Sequence, residues 1–394
     1  MRTKLVAVQQ PANDRYDYSV AVDTGGRAAN LDMTEHSNGW RDGLDEIDAA
    51  LLDEYQSGFP VRTAPFDVLA EELETDTADV LERLQSHAET GIVRRVGPVL
   101  DPSVIGSSTL AALSVPAEAF SDVAAIVNGY PQVSHNYRRD HELNMWFVLT
   151  ASTRQKRDNL LAEIATRSGY EPVVLPKRRE YCLDLQFPIV NDDRPSSGSA
   201  VVSAARRSAD GTNPQTGIES DHQWGQSEPL SSRELSSVER AILEAIQDGI
   251  PLSESPYRTL AADLELDVAT VVSSIETLRS DGFIKRIGVI VSHRTAGFRH
   301  NCMVAWDVPD DELDRCGTRA GSRPYVTKCY HRPRRPDRGW EYNLFTMIHG
   351  RDPKQVDEWI TELANEYVPA PYERLDTTEK LKQTGTRYES LLDD

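Results

Sequence analysis

Lysine is scarce in this chain of 394 residues: only 8 of its 43 basic residues are lysine, and the rest are arginine. Set against 63 acidic residues, they leave a formal net charge of -20. Excess surface carboxylate keeps a protein hydrated where salt screens ordinary charge repulsion, so this balance suggests a high-salt cytoplasm. Cysteine is scarcer still. Cys182, Cys302, Cys316 and Cys329 form no C-x-x-C pair, which excludes a disulfide framework and the usual zinc spacings. They read as reduced packing residues. No window supplies 18 consecutive apolar residues, and the first 20 lack the apolar run of a signal peptide. The expectation is a soluble, cytoplasmic protein with no membrane partner.

What the chain does have is an internal repeat. Slid against itself by 191 residues it matches without a gap over more than fifty positions. Leu44, Ile47, Leu52 and Tyr55 fall on Leu235, Val238, Leu243 and Ile246, and Pro65, Leu69 and Val80 fall on Pro256, Leu260 and Val271. Gly91, Arg94, Arg95 and Gly97 then meet Gly282, Lys285, Arg286 and Gly288. Each copy opens with helical spacing over three short segments, then passes to β-branched residues at Ile92-Val93 and Ile284, the pattern of a winged helix-turn-helix. Beyond it, strands are expected near 108 to 115, 132 to 138, 143 to 150 and 180 to 188, with helices near 117 to 128 and 154 to 167. That is a ferredoxin-like βαββαβ order.

The expected fold class is therefore α+β, a tandem repeat in which each copy is a winged helix-turn-helix followed by a ferredoxin-like domain. The expected boundaries are a disordered leader over 1–40, winged units over 41–100 and 234–290, and ferredoxin-like domains over 101–190 and 291–394. Between the copies, 191–233 is rich in Ser, Gly, Asp and Pro and reads as a flexible linker.

In so acidic a chain, islands of basic residues need a reason. Arg94-Arg95 and Lys285-Arg286 close the winged units. His135-Asn136-Tyr137-Arg138-Arg139 and Lys328-Cys329-Tyr330-His331-Arg332 occupy matching strand positions, and Lys177-Arg178-Arg179 lies downstream. Alternation along a strand puts His135, Tyr137 and Arg139 on one face. The guanidinium fork binds carboxylates bidentately and keeps its charge, so many arginines suit a ligand with many carboxylates.

The winged helix-turn-helix joined to a ferredoxin-like domain resembles the Lrp/AsnC transcriptional regulators, which makes DNA binding the alternative function. Charge argues against a nucleic-acid partner: residues 45 to 97 hold 13 acids against 4 arginines, and residues 235 to 288 hold 9 acids against 5 basic residues. Longer motifs point elsewhere. V-S-H-N-Y-R-R-D-H-E-L-N-M-W-F-V-L (133 to 149), C-Y-H-R-P-R-R-P (329 to 336) and W-E-Y-N-L-F-T-M-I-H-G-R (340 to 351) resemble the signatures of the two subunits of siroheme decarboxylases.

The resemblance implies a fused two-subunit enzyme, its halves forming an intramolecular pseudo-dimer. It would act as a carboxy-lyase that removes acetate carboxyl groups of siroheme to give 12,18-didecarboxysiroheme in heme biosynthesis. No cofactor is implied, because the iron belongs to the substrate. His135 is the expected proton donor, with His331 and Tyr137 as further catalytic candidates. Arg95, Arg138, Arg139, Arg178, Arg286, Lys328, Tyr330 and Arg332 are expected to bind the substrate. His141 and His349 are candidates for an axial contact to its iron. One departure stands out: where the resemblance implies a second histidine, this chain has Lys328.

Overall fold

A computed structural model describes residues 43–183, 186–190 and 233–384. The expected leader, and the expected linker apart from Arg233, lie outside the described residues, as do residues 385–394 of the last domain. No described helix is long and apolar enough to cross a membrane, and no disulfide joins the four cysteines.

Both copies begin with the same three helices, started by the same devices. In the first copy these are α1 (Glu46–Ala49, continued by a π turn over Ala50–Glu54), α2 (Pro65–Glu72) and α3 (Thr77–Glu89). Asp45 and Asp48 make a capping box for α1, Pro65 supplies the preset φ at the start of α2, and Asp76 caps α3. Gly91 at φ +74 turns the chain into strand β1 (Val93–Leu100). A short helix α4 (Pro102–Ile105) follows.

The first ferredoxin-like unit then runs β2 (Ser107–Leu113), α5 (Phe120–Asn128), β3 (Val133–Arg139), β4 (Met145–Ala151), α6 (Arg154–Ser168), β5 (Val173–Leu175) and β6 (Arg179–Leu183). The second copy repeats this with α7 (Ser237–Ile246), α8 (Pro256–Asp263), α9 (Val268–Ser280), β7 (Ile284–Val291), β8 (His300–Trp306), α10 (Leu313–Gly321), β9 (Val326–His331), β10 (Leu344–Gly350), α11 (Pro353–Glu362) and β11 (Tyr372–Gln383). Ser236 with Glu239, Pro256 and Asp267 repeat the three helix starts.

The single last strand expected near 180 to 188 is in fact two short ones, β5 and β6. Pro176 lacks the N–H that a continuous ladder would use, and the chain leaves one edge of the sheet there for the other.

Wing pairs with wing. Strands β1 and β7 are antiparallel with Gly97 opposite Gly288, Val96 opposite Val289 and Pro98 opposite Ile287. Gly97 and Gly288 are repeat mates, so a local two-fold axis passes between them and the contact is isologous. Cross-module hydrogen bonds obey the same symmetry: the Phe59 N–H donates to the Ile287 carbonyl at 3.1 Å, and the Ile250 N–H donates to that of Val96 at 2.7 Å. One apolar core runs through both winged units, from Leu51, Phe66 and Leu84 to Leu243, Tyr257 and Ile275.

The ferredoxin-like units merge into a nine-stranded sheet ordered β5-β2-β4-β3-β11-β8-β10-β9-β6. Strand β11 pairs with its own β8 and then with β3 of the other half. The β5–β6 arm does the same, adding β5 to β2 and β6 to β9, so three residues bridge the two edges of the sheet. Helices cover the outer faces: α5 and α6 over Leu113, Phe147 and Leu149, and α10 and α11 over Trp306, Leu344 and Ile348. Between the inner faces lie Trp146, Met303, Trp340, Phe345 and Leu375.

Candidate functional site

Residues directly opposite across an antiparallel pair point to the same side. His135 is opposite Val148 and Tyr137 is opposite Trp146, so both face the inner layer. In the second half Lys328 is opposite Met347 and Tyr330 is opposite Phe345, which puts them on the inner face too. The repeat thus aims His135 and Tyr137, and their mates Lys328 and Tyr330, into one interior. Each of the four keeps part of its surface open while protein surrounds it on most sides, the situation of residues that line a recess.

Two histidines meet at the wing-facing end, and His135 feels the same Lys328 and Arg94 charges as one of them, His293. His293, on the loop after β7, stacks on Phe187 with ring centroids 5.2 Å apart, and His349 on β10 stands edge-on to His293, also at 5.2 Å. The His349 Nδ1 lies 2.8 Å from the Thr327 hydroxyl, and the His135 Nδ1 lies 2.9 Å from the Ser134 hydroxyl. With Nδ1 engaged in this way, the Nε2 of each is left for a ligand.

The electrostatics of the recess are dominated by burial and by cations. His135 is held down at about 4 by burial and then by the charges of Lys328 and Arg94. His293 is also lowered to about 4, by burial and by Arg294, Lys328 and Arg94. Burial, His293 and Lys328 push His349 well below the usual imidazole range. All three are therefore neutral near pH 7. Burial lowers Lys328 as well, with Arg332 and Lys285 adding to the effect and Glu180 opposing it.

A second cluster surrounds Tyr330. Glu180 on β6 accepts from Lys177 at 2.7 Å and from Lys285 of the wing at 2.8 Å, while Asp101 lies 3.1 Å from Lys285. Burial alone would raise the Glu180 carboxyl, but Lys177 and Lys285 outweigh it and lower it. The Lys177 ammonium sits 5.5 Å from the Tyr330 ring centre.

The other expected site residues fall elsewhere. Arg139 and Arg332 are repeat mates on the inner face, and both are structural clamps. Arg332 donates to the Leu175 carbonyl of the crossing arm at 2.5 Å, and Arg139 donates to the Leu375 carbonyl of β11 and to the Thr377 hydroxyl. Burial brings both guanidiniums down to about 10.

Arg95 and Arg286 do not reach the recess as expected. Arg95 donates to the Pro98 carbonyl at 2.9 Å, and Arg286 donates to the Gln56 carbonyl of the opposite module. Their strand neighbours Arg94 and Lys285 take the place assigned to them, because alternation sends adjacent residues to opposite faces. His331 does not substitute for the missing histidine either. It follows Tyr330, so it points outward, towards Arg178, Asp310 and Asp314. Arg178 lies with it on that outer side, its N–H donating to the His331 carbonyl.

Arg138 packs over Phe120 at 4.2 Å and pairs with Glu379. With Arg139 and His141 it lines a separate cleft of about 400 Å³ at the far end of β3. His141 accepts from the Leu143 N–H and stands edge-on to Trp340, remote from the histidine cluster.

Sequence reasoning missed His293 and Arg294, and it chose the wrong partner of each wing pair. Alternation puts the two members of each pair on opposite faces but does not say which face is inward, and β1 is irregular between Val93 and Arg95. No sequence signal marks His293, whose place depends on the loop that carries it back to the sheet.

The winged units offer little to DNA. The one arginine of α3, Arg83, is held by Asp45, Asp48 and Asp79 at 2.8 to 2.9 Å. The model of the NirDL-like helix-turn-helix domain of siroheme decarboxylases matches residues 48–94 and 239–285, and that of the AsnC-like ligand binding domain matches 105–182 and 295–382. The siroheme decarboxylase NirDL subunit of Paracoccus pantotrophus is 32% identical over 87% of this chain and 97% of its own length.

The chain belongs to the siroheme decarboxylase family.

Shorter siroheme decarboxylase subunits match about half as much of it: the NirD subunit of Pseudomonas aeruginosa is 46% identical over 37% of this chain and 97% of its own length. Among solved structures, the siroheme decarboxylase NirDL superposes with a TM-score of 0.65 at 23% identity, covering 88% of this chain and 96% of that one, which establishes the shared fold. The same protein has been solved in co-complex with an iron-uroporphyrin III analogue (TM-score 0.62).

Proposed function

We propose that this chain is a siroheme decarboxylase: a carbon-carbon lyase that converts acetate side chains of siroheme to methyl groups, yielding 12,18-didecarboxysiroheme for heme biosynthesis in the cytoplasm. The observation that carries the reading is that His135, Tyr137, Lys328, Tyr330 and His349 all face the inner layer of the merged sheet, and that the charges of Lys328 and of Arg94 on the wing reach both His135 and the loop residue His293. Such a lining suits a planar, polyanionic macrocycle.

The chemistry needs no added organic cofactor. When the bond between the acetate methylene and its carboxylate breaks, the electron pair stays on the methylene and is delocalised into the conjugated ring while carbon dioxide leaves. One proton then completes the methyl group. The protein must grip the other carboxylates, hold the reacting acetate where its charge is poorly solvated, and deliver that proton. Arg94, Arg294 and Lys328 supply cations, and His135 is the donor. Tyr137 lies beside it, with ring centroids 6.1 Å apart, and burial keeps its phenol protonated and able to donate.

The test is incubation of purified protein with siroheme without oxygen, followed by mass spectrometry of the pigment. Successive losses of carbon dioxide support the reading, and an unchanged mass refutes it.

A further inference from the structure

Lys328 is a cation with no counter-charge of its own. The charged and titratable groups around it are Tyr330 and Arg332 on its own strand, Glu180 on β6, Lys285 on β7, His349 on β10, His293 on the following loop, His135 on β3 and Arg94 on β1. Glu180 is the carboxylate whose field reaches it, and Glu180 is already bonded to Lys177 and Lys285. Among the described residues, no ion pair or hydrogen bond engages the Lys328 ammonium, and the same holds for Arg94 and Arg294. An enclosed cation without a partner is costly to keep. A ligand carboxylate would relieve that cost, whereas the neighbouring Arg332 already has the Leu175 carbonyl as a hydrogen-bond acceptor.

The repeat sharpens the point. Lys328 occupies in the second half the position of His135 in the first, so the two side chains approach the same space from opposite sides of the local two-fold axis. The pocket is asymmetric, with an imidazole on one side and an amine on the other.

We propose that Lys328 anchors one carboxylate of the substrate, and that this contact is what arms His135 as the proton donor. Burial, and then the charges of Lys328 and Arg94, keep the His135 imidazole neutral, and a neutral imidazole is too weak an acid to deliver the proton. A carboxylate seated on Lys328 cancels part of that field, and the imidazole takes up one proton from solvent as the ligand binds. Binding and arming are then a single event, and an acetate side chain enters the recess together with the proton that will replace its carboxyl group. The inference rests on the siroheme decarboxylase reading.

The experiment uses the full chain and two ligands, with siroheme for turnover and iron-uroporphyrin III as the calorimetric probe. Titration at pH 7 in buffers of different ionisation enthalpy reads the protons taken up on binding. Wild-type protein is expected to take up protons. Lys328→Met should abolish the uptake, weaken binding about tenfold or more, and lower kcat as well as raise KM. Lys328→Arg, which keeps the charge, should restore most of both. His135→Gln should bind the probe with little loss but without uptake.

If Lys328→Met took up protons and turned over siroheme like wild type, or if uptake persisted in His135→Gln, the inference would be overturned while the decarboxylase reading stood. If wild-type protein left the mass of siroheme unchanged, the underlying reading would fail first. Unfolding of Lys328→Met is checked by its melting temperature. Should that variant not fold, wild-type protein that binds without proton uptake overturns the inference by itself.

Discussion

Gly288→Ala tests whether the two halves are joined as described. Gly288 lies beside the local two-fold axis of the paired wings, opposite Gly97. A methyl group there would overlap the Gln56 carbonyl oxygen and lie 2.7 Å from that of Tyr55. Both are backbone atoms of the opposite module and cannot rotate away, so the wing itself must retreat. Overpacking of this kind costs about 1 to 3 kcal/mol. The retreat also strains the hydrogen bond from the Val289 N–H to the Tyr55 carbonyl, 2.7 Å long, and that from Arg286 to the Gln56 carbonyl. At about 1 kcal/mol for each bond, the total is about 3 to 5 kcal/mol.

Urea unfolding followed by circular dichroism measures this loss, with Gly97→Ala as a companion because its methyl group would lie 2.8 Å from the Gly249 Cα. Siroheme turnover should fall in step, since β1 and β7 carry Arg94 and Lys285. A Gly288→Ala protein destabilised by less than about 1 kcal/mol would refute the close wing contact.

Further expectations concern the recess and its supports. His135→Ala should abolish most siroheme turnover while leaving the melting temperature near that of wild type; undiminished turnover would remove His135 from the chemistry. Because His135 and His293 titrate near 4 in the folded chain against about 6.5 unfolded, the unfolded chain binds more protons between those values. Their contribution to stability is therefore complete above about pH 6.5 and is lost as pH falls towards 4, and a double replacement by Gln should flatten that part of the stability profile measured in urea. Arg332→Met leaves the Leu175 carbonyl without its donor and should destabilise the sheet closure by about 1 to 3 kcal/mol, read as a shift in the unfolding midpoint; no shift would count against the clamp.

How far these features were legible beforehand depended on whether local pattern or long-range topology fixed them. The repeat, the helical spacing of its opening segments and the two-residue alternation of β3 are local, and they led to the α+β tandem fold and to the shared face of His135 and Tyr137. The arm that crosses from β5 to β6 was not legible. Pro176 announces a break, but nothing in the sequence says that the chain resumes beside β9 of the other half. The wing arginines show the same limit. Arg94 and Arg95 are indistinguishable as a dipeptide, and only the packing of Gly97 against Gly249 and of Gly288 against Gln56 decides which side faces the recess. His331 drew attention because imidazole suits proton transfer, yet its place next to Tyr330 had already assigned it to the outer face.

The most direct measurement of the central claim is the position of bound siroheme in a crystal structure of the complex, prepared without oxygen. The account predicts the macrocycle in the recess between β3, β9 and β10, with one carboxylate on Lys328 and the His135 imidazole against an acetate side chain. A macrocycle seated instead in the cleft beside Arg138 and His141, or on the outer surface of the winged units, would contradict it.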